Sequence, residues 1–344
     1  MGAGAAGRRS KDGLVAAVIN FNTAALTRRC TRSLAAAGVP RIFVLDNASA
    51  VGDVRQLVES HAGDPTVQVL RSEENLGFAG GSNRLVDHAL ADPGCTHLLL
   101  LNSDAVAVAE GLDACLALME KGAHDLMGGR MLKPPRAGEP AVVDSLGITL
   151  YKSLLASNRK STGDAYLGPT GGFAIYSRRF LEESKRVYGY VFDPAYFCYA
   201  EDTDLCVRAR LLKASVGYCD ETVAYHEGQA SNAGRYDDFI LYHGIRNSIW
   251  MAWKSIPGWL LFTHLPWIVA LHAGIVVRHT LQGRLRTLLR LYGDALAGLP
   301  RVLRERRAVQ ETRRVSTAEF RTLIDRKFYE TEYVRGAVKD LYRR

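Results

Sequence analysis

The six cysteines of this chain carry no pairing signature. Cys30, Cys95, Cys115, Cys198, Cys206 and Cys219 show no CxxC and no metal-type spacing. That excludes a zinc ribbon or a disulfide framework and reads as small apolar side chains in a reducing compartment. No low-complexity tract or internal repeat is present, which excludes solenoids and compositional disorder. Residues 1–12 are Gly/Ala-rich with Arg8, Arg9 and Lys11 but lack the apolar core of a signal peptide, so a disordered lead-in is expected. No helix-turn-helix or aromatic-interleaved basic motif occurs, so nucleic acid is not an expected partner.

What is present is an ordinary folding composition, 47% hydrophobic and 23% charged, in 344 residues, enough for one large domain or two. The formal net charge of +8 is unevenly spread. From Arg278 onward there are 17 Lys/Arg against 8 Asp/Glu, and the remainder is close to neutral. A basic tail behind a neutral body points to an anionic surface as partner.

Residues 13–235 alternate strand and helix patterns, as in a doubly wound α/β sheet. Strands are expected at Val15–Asn20, Arg41–Asp46, Val67–Arg71 and in the run that ends at Asn102. Helices are expected at Ala24–Ala37, Val51–His61 and Ala79–Leu90. Between Leu126 and Tyr151 the pattern turns irregular around Lys133-Pro134-Pro135. A glycine-led strand follows over Pro169–Tyr176, then a helix at Glu201–Leu212 and short strands at Val216–Tyr218 and Thr222–Tyr225. Three of the first four strands end on polar residues: Asn20-Phe21-Asn22, Asp46-Asn47 and Asn102-Ser103-Asp104. The carboxyl ends of parallel strands share one edge, where open α/β sheets bind ligands. These groups should therefore converge.

Residues 236–344 read as a helical extension, apolar and then basic. Ile256–Val277 carries no Asp, Glu, Lys or Arg, but Pro257, His264, Pro266 and His272 interrupt it and no second such run follows. Three readings stay open: an element lying on an anionic membrane face, a single span, or a buried helix that could pair two copies of the chain.

Asp46-Asn47, the run Asn75-Leu76-Gly77-Phe78-Ala79-Gly80-Gly81-Ser82-Asn83, Asn102-Ser103-Asp104, Tyr199–Arg208 and Tyr225-His226-Glu227-Gly228 occur in this order. Together they resemble the inverting nucleotide-sugar glycosyltransferases of family 2, with the GT-A fold, and most nearly their rhamnosyltransferase-like branch. The resemblance covers about Val15 to Ser255. It implies a Rossmann-like, mostly parallel sheet flanked by helices, with a membrane-associating C-terminal extension. It also implies transfer of a sugar, such as L-rhamnose from dTDP-rhamnose, from a dTDP- or UDP-sugar to a lipid-linked or polysaccharide acceptor in bacterial cell-surface glycan synthesis. The expected place is the inner face of the cell membrane, with the enzyme cytoplasmic and peripheral.

The resemblance gives each position a role beside its local one. Asp46 would accept from the imide N–H of uracil or thymine, or it closes an Asx-turn. Asn20, Phe21, Asn22 and Asn47 would line the base pocket, with plain core packing the alternative for Phe21. Asn75, Gly77 and Asn83 would border the sugar-nucleotide; otherwise they form a tight turn and a helix cap. The order Gly-x-x-Gly-Gly is not a dinucleotide fingerprint. Where many relatives carry Asp-x-Asp, this chain has Asn102-Ser103-Asp104. An amide is a poor ligand for a hard cation, which leaves Asp104 as principal ligand, with His226 completing a Mg²⁺ or Mn²⁺ site. The alternative for Ser103 or Asp104 is a helix N-cap. Asp202 is the candidate general base, at a helix start where capping also suits it. Gly171, Gly172 and Glu201 would border the acceptor. Arg246 and Asn247 either reach the phosphates or make structural contacts.

Two rivals share parts of this pattern. A nucleotidyltransferase would need a Gly-rich loop with Arg and Lys after the first strand, where this chain has Asn20-Phe21-Asn22-Thr23-Ala24. A non-catalytic sugar-nucleotide-binding protein would have no need of Asp202 and His226 beside Asp104.

Overall fold

The computed structural model describes residues 11–135, 141–228, 238–331, 333, 335 and 336. Most of the expected lead-in, up to residue 10, lies outside the described residues. The first half runs β1 (Leu14–Asn20), α1 (Ala24–Ala36), β2 (Arg41–Asn47), α2 (Val51–Ser60), β3 (Val67–Ser72), α3 (Gly77–Ala91), β4 (His97–Leu101) and β5 (Ala105–Ala107). It continues through α4 (Ala109–Gly122), β6 (Leu126–Leu132), β7 (Val143–Ser145), β8 (Ile148–Leu150), β9 (Ala156–Asn158), β10 (Phe173–Ser177) and α5 (Arg178–Tyr188). Then come α6 (Glu201–Leu211), β11 (Val216–His226), α7 (Asp238–Ser255), α8 (Gly258–Leu281), α9 (Leu285–Glu311) and α10 (Thr317–Arg321).

Among the described residues nine strands form one sheet in the order β3-β2-β1-β4-β10-β6-β11-β5, with β7 paired to β6. The strands β3, β2, β1 and β4 run parallel, and β10 enters antiparallel to both β4 and β6. The sheet is therefore mixed, parallel from β3 to β4 and reversed beside β4.

Both faces are buried, which explains the near-continuous apolar strands. Leu14, Ala16, Val18, Leu99 and Leu101 pack on one side with Leu34, Leu57 and Leu112 of α1, α2 and α4. Val15, Ala17, Leu98 and Leu100 pack on the other with Leu85, Phe180 and Leu205 of α3, α5 and α6. The C-terminal helices are built onto this body: Trp250, Met251 and Val302 share a core with Val207 and Leu211 of α6.

The irregular stretch from Leu126 hides a central strand, β6. Its Gly128-Gly129 weakens the strand signal, yet a Cβ on Gly129 would lie 2.2 Å from Val223 Cγ1, so the packing of β11 requires glycine there. The two short strands expected near residues 216–225 are one strand, β11, whose pairing with β6 shifts register between Cys219 and Thr222. The sequence pattern leaves residues 105–125 unassigned; they form β5 and α4.

Candidate active site

The first strand ends in a fixed scaffold. Asn20 is fully buried, and its amide donates to Asp46 Oδ1 (3.2 Å), Ser49 Oγ (3.1 Å) and Asp53 Oδ2 (2.8 Å). Its Oδ1 accepts from Thr27 Oγ1 at 2.7 Å. With both ends occupied, Asn20 orients Asp46. Asp46 is itself buried, and its Oδ2 has no partner among the described residues. A buried, unpaired carboxylate oxygen is costly unless a donor arrives. Phe21 is exposed, and Asn22, in the left-handed region at φ 56°, accepts from Ala50 N at 2.8 Å.

Asn47 shapes the next turn. Its Oδ1 accepts from Leu76 N (2.9 Å), and its amide donates to Asn75 Oδ1 (3.0 Å) and Gly77 O (3.1 Å). Gly77 sits at φ 68°, and a Cβ there would lie 2.3 Å from Phe197 O, so this approach requires glycine. Asn83 faces elsewhere: its Oδ1 accepts from Val191 N (3.2 Å) and Phe192 N (2.9 Å), tying α3 to the segment before α6.

Beyond β4, Asp104 Oδ1 lies 3.1 Å from His226 Nε2 at the end of β11. Asn102 Nδ2 lies 3.3 Å from the same nitrogen, and Ser103 Oγ lies 3.2 Å from Thr23 Oγ1. The other imidazole nitrogen, Nδ1, is 2.8 Å from Asp144 Oδ2. Burial would lower the imidazole pKa, but the hydrogen bonds and charges of Asp104 and Asp144 outweigh it and raise it to about 9. Burial likewise works against the Asp144 carboxylate, and His226 with nearby lysines holds it below the ordinary range.

The donor set fits a small hard cation. One carboxylate and one imidazole face each other at the separation two adjacent ligands on one ion would have, roughly 3 Å for bonds of about 2.1 Å. A carboxylate behind the other ring nitrogen is the usual support for a ligating histidine. Among the described residues no group of three or more His, Cys, Asp or Glu is arranged as a complete metal cage. Other ligands would have to come from the substrate or water. Asp144 is the residue the sequence pattern misses, because it follows the irregular Pro-rich stretch and carries no motif.

The second carboxylate group is joined to the first through the glycines. Asn102 N donates to Gly172 O at 3.1 Å, and Gly171 N donates to Asp202 Oδ2 at 2.9 Å. A Cβ on Gly171 would lie 3.6 Å from that same Oδ2, whereas one on Gly172 would meet Met131. Gly171 thus borders Asp202, and Gly172 packs inward. Desolvation raises the Asp202 carboxyl above its ordinary value, against hydrogen bonds from Gly171 and Thr203 that lower it. Glu201 is buried with Oε2 unpartnered among the described residues; burial and the charge of Asp202 raise its carboxyl well above the usual range. Bonds through Gly171 and Gly172 thus link the Asp202 carboxylate to the end of β4, beyond which Asp104 faces His226. Arg246 and Asn247 make structural contacts with the turn before α6. A separate apolar cavity of about 420 Å³ is lined by Leu154, Ile249, Trp253, Phe262 and Leu303 among others.

Residues 16–184 match the family model "Glycosyl transferase family 2". A low-salt glycan biosynthesis hexosyltransferase, Agl10 of Haloferax volcanii, is 23% identical over 219 residues, 61% of this chain and 66% of that protein's length. The structure is similar to S. aureus TarS residues 1–349 in complex with UDP-GlcNAc, at TM-score 0.53 and 18% identity, covering 94% of this chain and 92% of that one. It is also similar to the mannosyltransferase PcManGT of Pyrobaculum calidifontis in complex with GDP-Man and Mn²⁺, at TM-score 0.52 and 14% identity, covering 87% and 85%. These likenesses establish the GT-A fold. The family 2 model matches residues 16–184, just under half of the chain.

Proposed function

We propose that this chain is an inverting glycosyltransferase that takes a hexosyl or deoxyhexosyl group from a nucleotide-sugar. The observation that supports this reading is the Asp144–His226–Asp104 contact beyond β4, with Asp202 tied to the end of that strand through Gly171 and Gly172. Three carboxylate sites have separate tasks. Asp46, with its free buried oxygen, suits the imide N–H of a uracil or thymine base. Asp104 and His226 would hold a divalent cation, which when bound supplies charge to offset a diphosphate leaving group. Crystallised relatives in complex with Mn²⁺ support a divalent ion, either Mg²⁺ or Mn²⁺.

Asp202 would act on the acceptor. Its desolvated carboxylate is a stronger base than a solvated one, and it can take the proton of an acceptor hydroxyl. As that oxygen bonds to the anomeric carbon, the bond to the diphosphate oxygen breaks and the nucleoside diphosphate departs with the electron pair. Attack opposite the leaving group inverts the centre, and no covalent enzyme intermediate is needed.

The acceptor is proposed to be a lipid-linked or polysaccharide glycan, and the sugar a residue such as L-rhamnose. The family resemblance and the exposed apolar α8 beside a basic tail support an enzyme working at the inner face of a membrane. The test is a panel of UDP-, dTDP- and GDP-sugars screened for thermal stabilisation with Mg²⁺ or Mn²⁺. A shift with at least one donor that disappears in Asp104→Ala is expected. No shift with any donor refutes donor binding. Asp202→Asn should keep the donor-induced shift and lose turnover. Retained turnover would refute the base assignment, and absent turnover in wild type with intact binding would favour a non-catalytic binder.

A further inference from the structure

Asp202 is the second residue of α6, and the backbone that delivers it is under strain. Phe197, Tyr199 and Ala200 have φ values of 63°, 69° and 64°, and Ala200 caps α6. A positive φ is unfavourable for any residue with a Cβ, and three in four residues persist only where surroundings enforce them. The turn's other contacts reach the donor side: Ala79 N donates to Phe197 O at 3.0 Å, next to Gly77. A shift of this turn would therefore displace Asp202 relative to the nucleotide-sugar.

One side chain spans the turn from outside. Asn247 of α7 is fully buried, and its Nδ2 donates to Tyr196 O (2.9 Å), Cys198 O (2.9 Å) and Tyr199 O (2.7 Å). Its two N–H bonds thus serve three carbonyls. The amide cannot be reversed, because Oδ1 accepts from Arg246 Nε (3.0 Å) and Nη2 (2.8 Å). Arg246 is in turn held over the Trp250 ring at 4.4 Å and bonded to Tyr242 Oη at 3.0 Å. A buried amide whose donors all go to main-chain carbonyls of one strained turn specifies that turn's conformation.

We infer that Asn247 is a positioning residue for the transfer reaction: it locks the 196–200 turn in the positive-φ geometry that aims Asp202 at the acceptor hydroxyl. This rests on the reading of Asp202 as general base. Asn247 lies outside the residues matched by the family model and touches the reacting groups only through the turn.

The test uses the full chain with an accepted donor and Mn²⁺. Asn247→Asp keeps the shape but removes both donors, and Asn247→Ala removes the side chain. Each is expected to lower kcat by about 100-fold, the scale of a displacement of about 1 Å at a reacting group. The donor KM and the donor-induced thermal shift should change less than about threefold, because Asp46, Asp104 and His226 are untouched. In the Asp202→Asn background the Asn247 variants should cost nothing further, since both act through one carboxylate. A further loss of about 100-fold there, or wild-type kcat in both single variants, would overturn the proposal. So would failure of both variants to fold, which would assign Asn247 to stability alone. If Asp202→Asn itself turns over normally, the base reading falls, a result visible before any Asn247 variant is made.

Discussion

Asp104 and Asp144 hold His226 from opposite sides of its ring, Nε2 3.1 Å from one carboxylate and Nδ1 2.8 Å from the other. The arrangement separates their roles. Asp104 meets the same ring nitrogen as Asn102 from the end of β4, while Asp144 sits behind the ring on β7.

Asp144→Asn keeps the shape and removes the charge behind the imidazole. Such supporting partners typically contribute 10- to 100-fold in metal affinity or activity. The Mn²⁺ concentration giving half-maximal transfer should rise by about that factor, with the melting temperature of the protein alone little changed. An unchanged Mn²⁺ dependence would separate His226 from the cation.

The parallel half of this sheet was legible because its strands are buried on both faces and end on polar residues. Asp46 and Asp104 could be placed from that pattern, and His226 only from the family resemblance. Asp144 could not, because its position depends on β7 pairing with β6, and β6 is disguised by Gly128-Gly129. Asn20 and Asn83 were expected at the nucleotide-sugar, but their amides are occupied by protein partners. Polar residues at a strand end converge, yet the sequence does not say which face a ligand and which hold the others in place. The Asn247 contact is likewise invisible in the sequence, because only folding brings residue 247 against carbonyls at 196–199.

Asp46→Asn replaces the unpartnered acceptor with a group that presents either an oxygen or an amide donor to the base. If the carboxylate receives an imide N–H, losing that charged hydrogen bond costs about 1.5–3 kcal/mol. The donor KM should rise roughly 10- to 100-fold with kcat less affected, measured against both UDP- and dTDP-sugars. Wild-type KM for every donor would remove Asp46 from base recognition.

Asp204 is fully buried between Arg208 Nε at 2.7 Å and Lys254 Nζ at 3.0 Å, with Asp193 completing the group on the lysine. Burial pushes the Asp204 carboxyl up, but the charges of Lys254 and Arg208 outweigh it and hold it below the usual carboxylate range. A lowered folded value means stability that is fully present above the unfolded value of about 3.9. It is lost as the pH falls through the folded value. Thermal melts from pH 7 to pH 3 should therefore show a drop that is smaller in Asp204→Asn. At pH 7 that variant leaves buried cations without their carboxylate and should lose about 3–5 kcal/mol in urea unfolding. A loss under 1 kcal/mol would mean that Asp193 alone satisfies Lys254.

The 24-residue α8 is the one helix among the described residues long and apolar enough to cross a bilayer, and most of its surface is unburied. Trp259 and Phe262 are 67% and 68% exposed, and Val269 is 58% exposed. Next to it, α9 exposes Leu285 and Leu289 together with Arg286 and Arg290. An apolar face beside exposed arginines suits the boundary of an anionic leaflet, where each basic residue contributes about 1 kcal/mol. The double variant Trp259→Glu with Phe262→Glu should leave the melting temperature nearly unchanged, because exposed sites usually cost under about 0.5 kcal/mol. It should sharply reduce sedimentation with anionic vesicles, and salt should do the same to the wild type. Binding that resists both salt and alkaline extraction would indicate a span. No vesicle binding, with a larger particle in solution that the double variant splits, would instead make this face a contact between two copies of the chain.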